Sequence, residues 1–257
     1  MKPLIVLKIG GNVIDNPPVL ETVLHDFAAW ENPKILVHGG GKIASKLMEQ
    51  LGITPKMVEG RRITDRETLD IVTMVYAGLI NKNMVAILQS YGCNAIGLTG
   101  ADANLIPAAK RPVKDIDYGY VGDVNTGCIA SNTLANLVNS GLVPVIAPIT
   151  HDGNGSLLNT NADTIASCVA VALAKTFSVQ LTFCFEKKGV LRDPNDDQSV
   201  IVFLDELSYK QYKNEGVITA GMIPKLDNAF AALHSGVTEV RICSPEGLNA
   251  GTRIRVS

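Results

Sequence analysis

No two cysteines of this chain are spaced to work together. Cys93, Cys128, Cys168, Cys184 and Cys243 form no C-x-x-C pair, and their wide spacing suits neither a zinc site nor a disulfide framework. Buried free thiols in a reducing compartment are the expectation. Histidine is equally sparse: His25, His38, His151 and His234 are scattered. That pattern favours satisfied structural or surface roles, and no metal ligand is assigned. Neither sign of charge is in excess. The formal net charge is −2 and the sequence pI about 6.1, which argues against a nucleic-acid partner. No apolar run reaches the roughly 18 residues of a membrane span. Met1-Lys2-Pro3 leads straight into an apolar strand without a cleavage-site pattern. A cytoplasmic protein with no membrane partner is expected. Two phosphate fingerprints are also missing. Gly41-Lys42 would close a Walker loop only with glycine at position 36, which is Leu36, and no G-x-G-x-x-G follows a strand. A P-loop NTPase and a dinucleotide dehydrogenase are therefore disfavoured.

What is present is a globular chain of 257 residues, 46% hydrophobic and 19% charged, long enough for a sizeable core. Two apolar strands each end in consecutive glycines: Leu4–Leu7 runs into Lys8-Ile9-Gly10-Gly11, and Ile35–His38 into Gly39-Gly40-Gly41. Glycine lets the backbone bend and come close to a ligand. A following helix aims free N–H groups and its dipole at an anion. The pattern predicts a phosphate or carboxylate site at the carboxyl ends of parallel strands.

Strands and helices alternate along the chain. Helices are predicted over 17–30, 41–51, 65–91 (broken near Gly78), 131–140 (N-capped by Ser131), 162–175, 205–215 and 223–235. Strands are predicted over 95–99, 142–146, 179–185, 240–243 and 252–256, with a hairpin off the main sheet within 105–124 and a turn at Asp152-Gly153-Asn154-Gly155. This order predicts a mostly parallel central sheet with helices on both faces. The chain reads as one domain of two lobes, about 1–160 and 161–257.

Several polar residues exceed what local structure needs. Lys8 ends an apolar strand beside a glycine turn, where a lysine neutralises a phosphoryl group. Arg61 and Arg62 lie on an extended segment, so one faces the site and one faces away. Asn159, Asn161 and Asp163 open a helix, with more polar groups than capping requires. Lys225 follows Pro224 in the first turn of a helix, the end where a cation is disfavoured.

Taken together and in order, six motifs resemble the amino acid kinase family. They are Lys8-Ile9-Gly10-Gly11, His38 to Gly41, Gly60 to Asp65, Gly119 to Val124, Leu158 to Asp163 and Gly221 to Lys225. The resemblance implies a three-layer αβα sandwich of the amino acid and carbamate kinase type. It implies ATP, with Mg²⁺, phosphorylating the γ-carboxylate of N-acetyl-L-glutamate, an early step of arginine biosynthesis. Under it Lys8 and Lys225 would stabilise the transferring group and Asp163 would hold both. Gly10, Gly11, Gly40 and Gly41 would offer N–H groups, Arg62 would clamp the α-carboxylate, and Asn159 would bind nearby. Glu186, Lys187, Gly189, Val190 and Leu191, with Val217, Ile218 and Thr219, would hold the nucleotide.

This chain departs from the family pattern twice. Arg61 stands where leucine is usual, which raises the alternative of a second carboxylate on the acyl group, as in N-succinyl-L-glutamate. Glu186-Lys187-Lys188-Gly189 replaces Asp-Val-x-Gly. The chain starts at its first strand, where arginine-inhibited hexameric members carry an extra helix. A homodimer without arginine feedback is the resulting expectation. A non-catalytic ligand sensor on a kinase fold is the alternative of another class.

Overall fold

The first strand, β1 (Lys2–Ile9), sends its side chains into two different cores. Leu4 and Val6 face one, Leu7 and Ile9 the other, as the two-residue period of a strand dictates. A strand buried on both faces needs helical layers above and below it. The computed structural model describes residues 1–58, 60–218 and 221–256, and it has those layers.

After β1 come a one-turn helix, α1 (Gly11–Ile14), then α2 (Pro17–Ala28), β2 (Lys34–His38) and α3 (Gly41–Gln50). A small hairpin, β3 (Met57–Val58) and β4 (Arg61–Arg62), precedes a continuous helical run: α4 (Arg66–Thr73), a π-helical segment (Met74–Ile80) and α5 (Asn81–Ser90). Next are β5 (Ala95–Leu98), the hairpin β6 (Ala108–Lys110) and β7 (Gly122–Val124), α6 (Ser131–Asn139) and β8 (Val143–Ile146). The hairpin β9 (Ile149–His151) and β10 (Leu157–Asn159) leads into α7 (Ala162–Leu173). The chain closes with β11 (Phe177–Cys184), β12 (Phe203–Leu204), α8 (Glu206–Asn214), α9 (Ile223–His234), β13 (Glu239–Cys243) and β14 (Thr252–Ile254).

Eight strands form one sheet in the order β12-β14-β13-β11-β1-β2-β8-β5. All its pairings are parallel except β13 with β14. Helices α6, α7 and α9 cover one face, and α2, α3 and the α4–α5 run cover the other. The expected αβα sandwich is therefore present. The chain leaves β1 sideways to β2 and returns through α7 to β11 on the other side. That reversal opens a crevice at the carboxyl ends of β1, β2 and β11.

Three local expectations are corrected. The helix predicted to break near Gly78 continues through a π-helical segment. Its core residues Val72, Tyr76, Ile80, Met84 and Leu88 recur every four positions, which outruns the 3.6-residue period; the wider π turn absorbs the drift. Ser131 is the first helical residue rather than the N-cap of α6; Ala130 holds that position and offers no side-chain acceptor. Cys128 is exposed, although all five cysteines are free as expected. By length and apolarity alone, Arg66–Ser90 is long enough to cross a bilayer, but its apolar stripe packs into the core beside α3 and β8.

Candidate functional site

Position 8 shares a face of the sheet with Leu4 and Val6, so Lys8 emerges toward α7. Its ammonium meets Asp163 Oδ1 at 2.7 Å, and only 7% of Lys8 is exposed. Asn161 sets this geometry. As the N-cap of α7, its Oδ1 accepts the N–H groups of Asp163 (2.8 Å) and Thr164 (3.1 Å). Asp163 thus sits in the first turn, where the helix dipole favours an anion.

Lys225 enters from the opposite helix. Met222 caps α9, Pro224 occupies its first turn, and Lys225 follows. Its Nζ lies 3.8 Å from the centroid of the Phe185 ring, while Lys8 Nζ lies 5.1 Å from the same centroid. Burial lowers the Lys225 ammonium's pKa and Lys8 pushes the same way; Asp163 and Glu186 oppose.

Across the crevice, Arg62 is buried to 8% exposure. Its Nη2 donates to the Gly41 carbonyl (2.9 Å) and Ser45 Oγ (2.7 Å), and Nη1 to Met48 Sδ (3.4 Å). Arg61, one residue earlier on β4, is exposed, as strand alternation predicts. Asn159 reaches Arg62 indirectly: its Nδ2 donates to Thr64 Oγ1 (3.0 Å), whose hydroxyl donates to the Arg62 carbonyl (3.2 Å).

The second glycine turn is held from behind. Gly40 has φ of 146°, and a Cβ there would overlap Ile80 Cδ1 and press on Tyr76. His38 is fully buried beneath this turn. Its Nε2 meets Asn81 Nδ2 at 3.1 Å, and that amide also donates to the Val145 carbonyl (2.9 Å). An amide nitrogen only donates, so Nε2 accepts, and Nδ1 carries the proton given to the Gly39 carbonyl at 2.8 Å. Burial holds this imidazole's pKa down to about 4, so it is neutral at pH 7.

These elements enclose a cavity of about 740 Å³. Of the sequence-predicted residues, Lys8, Gly10, Gly11, Gly41, Arg62, Glu186, Lys187, Gly189 and Lys225 form its wall. Asp163 stands behind Lys8. Gly40 turns toward Ile80 and Tyr76, and Asn159 reaches the wall only through Thr64. Arg61 is outside the wall. Val190 is buried, with its N–H given to Thr252 Oγ1 (2.8 Å), and Leu191 bridges to Val200. Ile218 is in the core and Val217 is half-buried, and neither reaches the cavity by its side chain. Thr219 lies outside the described residues.

The wall carries six cations (Lys8, Lys42, Lys46, Arg62, Lys187 and Lys225) against Glu49 and Glu186. Such a surplus suits two anionic ligands meeting in one crevice. Sequence reasoning missed Asn12, Lys42, Ser45 and Phe185. The first three sit beside the glycine turns on α1 and α3, so helical spacing from Gly11 and Gly41 could have found them. A phenylalanine one residue past a strand carries no signal of its own.

Known proteins resemble this chain over nearly its whole length. The family model described as "Amino acid kinase family" matches residues 3–244. A Cytophaga hutchinsonii protein named acetylglutamate kinase is 58% identical over 249 residues, covering 96% of this chain and 94% of its own. One of the same name from Parabacteroides distasonis is 55% identical over 256 residues, covering both chains fully. The crystal structure of smu.665 from Streptococcus mutans UA159 superposes with a TM-score of 0.77 at 30% identity, covering 98% of each chain. With the family model matched over residues 3–244 and relatives above 50% identity covering nearly the whole chain, the chain belongs to the amino acid kinase family.

Proposed function

We propose that this chain transfers the γ-phosphoryl group of ATP to the γ-carboxylate of N-acetyl-L-glutamate, as an acetylglutamate kinase of arginine biosynthesis. The observation that carries the reading is the convergence of Lys8 and Lys225 on one side of a cavity whose other side holds Arg62. The acceptor carboxylate is already ionised at pH 7, since its reference pKa is about 4.3. No general base is required. Its oxygen attacks the γ-phosphorus, the bond to the bridging oxygen breaks, and ADP leaves beside an acyl phosphate. Catalysis then rests on alignment and charge neutralisation.

In this reading Lys8 and Lys225 stabilise charge on the transferring group, and Asp163 fixes the Lys8 ammonium. Gly10 and Gly11 offer N–H groups to the phosphates. Arg62, held by Gly41, Ser45 and Met48, presents a fixed positive charge to the substrate α-carboxylate, and Asn159 supports it through Thr64. The loop from Glu186 to Gly189, with Val217 and Ile218, receives the nucleotide; Leu191 serves it through the backbone, and Val190, whose N–H goes to Thr252 and whose carbonyl accepts from Ile201, anchors the loop in the core. Asp163 is engaged by Lys8, and the wall's two carboxylates, Glu49 and Glu186, gather with no third ligand among the described residues, so the donor set does not fit a metal cage held by protein. Magnesium belongs to the substrate as Mg-ATP. Residues 1–160 would take the acyl amino acid and supply a homodimer contact, and residues 161–257 the nucleotide, in the cytoplasm.

The succinyl alternative loses Arg61, which is exposed and outside the wall; the surplus cations within it are Lys42 and Lys46. An acyl-phosphate assay with Mg-ATP, trapped by hydroxylamine, tests N-acetyl- and N-succinyl-L-glutamate in parallel. Preference for acetyl is expected. Preference for succinyl would keep the mechanism and change the substrate, and turnover of neither would favour a ligand sensor.

A further inference from the structure

Phe185 lies one residue past β11, on the face of the sheet from which Lys8 emerges. Its backbone N–H is tied to the Cys243 carbonyl at 2.9 Å. Its ring stacks on that of Phe183, centroids 5.8 Å apart and planes within 3°. Phe183 is in turn buried in the core and paired in register with Lys8. The ring is therefore fixed at its base and along one face. Both lysine ammoniums lie within cation–π range of it.

Two like charges drawn to one phosphoryl site repel each other when that site is not neutralising them. Asp163 meets Lys8 at 2.7 Å, but Lys225 has no ion pair that close among the described residues. It also has somewhere else to go. A second cavity of about 270 Å³ opens between α7 and α9, and Lys225 and Phe185 are in its wall as well. Phe185, Lys225 and Ile242 line both spaces, so the ring is part of the partition between them.

We propose that Phe185 is a positioning residue for phosphoryl transfer, whose ring holds the Lys225 ammonium, and more weakly that of Lys8, on the catalytic side of this wall. The negative face of the ring substitutes for a carboxylate without adding one. A carboxylate there would bind Lys225 more strongly but would repel the incoming phosphates. The proposal rests on the reading of Lys8 and Lys225 as the phosphoryl-stabilising pair.

The test uses the full-length enzyme with Phe185→Leu, Phe185→Tyr, and mono-, di- and trifluorinated phenylalanine installed at position 185. Fluorine drains the negative face while nearly preserving ring shape. The expected result is a stepwise fall in kcat with fluorine number, reaching about tenfold, with KM for ATP unchanged within about twofold. Phe185→Leu should lower kcat by about tenfold to thirtyfold, and Phe185→Tyr should restore it. Lys225 faces Asp163 on α7, Lys8 on β1 and Glu186 on the loop after β11. Losing the ring's stabilisation of its charged form should move the alkaline limb of the pH–rate profile to lower pH in Phe185→Leu and not in Phe185→Tyr. Indifference of kcat to fluorination would overturn the proposal, and so would a Phe185→Leu enzyme within about twofold of wild type. Should Phe185→Leu fail to fold, the fluorinated series decides alone. Lys8→Ala and Lys225→Ala run alongside. If those retain normal kcat the functional reading itself fails; if they are inactive while fluorination does nothing, only the role of the ring is lost.

Discussion

Acidification from pH 6.5 to 4 should weaken the fold through His38 alone by about 3 kcal/mol. The imidazole is fully buried, and burial lowers its pKa from 6.5 to about 4. Its folded pKa thus lies below the unfolded one. As pH falls, the unfolded chain takes up the proton first, so the folded state loses ground between those two values. The contribution is complete above pH 6.5 and gone below 4. At about 1.4 kcal/mol per pH unit, the interval amounts to roughly 3 kcal/mol. The structure also says what protonation breaks: Nε2 accepts from Asn81, and a proton there turns acceptor against donor. The Nδ1–H bond to the Gly39 carbonyl survives protonation and partly opposes the shift. Urea unfolding midpoints measured from pH 7.5 to 4, on the native chain and on His38→Gln, provide the assay. The variant should start less stable and lose far less between 6.5 and 4. Capping aspartates such as Asp65 and Asp205 have pKa values held below the ordinary carboxylate range, so they affect both proteins equally and mainly at lower pH. Parallel curves for the two proteins would refute the reasoning.

Arg62→Lys should raise KM for the acyl amino acid by about tenfold or more with little change in kcat, because an ammonium cannot reproduce the several bonds to Gly41, Ser45 and Met48 that hold the charge in place; a kcat loss at constant KM would place Arg62 in the chemistry instead. Gly40→Ala should cost more than about 2 kcal/mol in urea unfolding, since φ of 146° and the contact with Ile80 exclude a Cβ; unchanged stability would count against the geometry of that turn. Asp163→Asn should lower kcat by about tenfold or more, by leaving the nearly buried Lys8 ammonium without its counter-charge; a normal kcat would remove Asp163 as organiser.

Much of the architecture was legible because local rules and tertiary structure agreed. The βα alternation gave the sheet and its layers, and consecutive glycines after two apolar strands marked the crevice. Strand alternation required one of Arg61 and Arg62 to face inward, and the family resemblance chose Arg62, which is the buried one. Asn161 was readable as a cap, and capping explains why Asp163 stands where it does. Elsewhere the deciding contact came from another part of the chain. Ser131 looks like a cap, yet the backbone enters α6 one residue earlier. Gly78 looks like a break, yet the four-residue spacing of core side chains needs a wider turn. The nucleotide segment was only partly readable: Val190 and Ile218 are core residues by their side chains, and a linear motif does not separate backbone contacts from side-chain contacts. Phe185 was silent because its meaning comes from Lys8 on one element and Lys225 on another.

The central claim is that Lys8 and Lys225 act on the transferring phosphoryl group. Single-turnover formation of acyl phosphate, at saturating Mg-ATP and N-acetyl-L-glutamate, measures that step for the native chain, Lys8→Ala and Lys225→Ala. Loss of one stabilising cation at the transferring group should slow it by about 10²–10³-fold while substrate affinities stay nearly constant. A near-native rate in either variant would contradict the account.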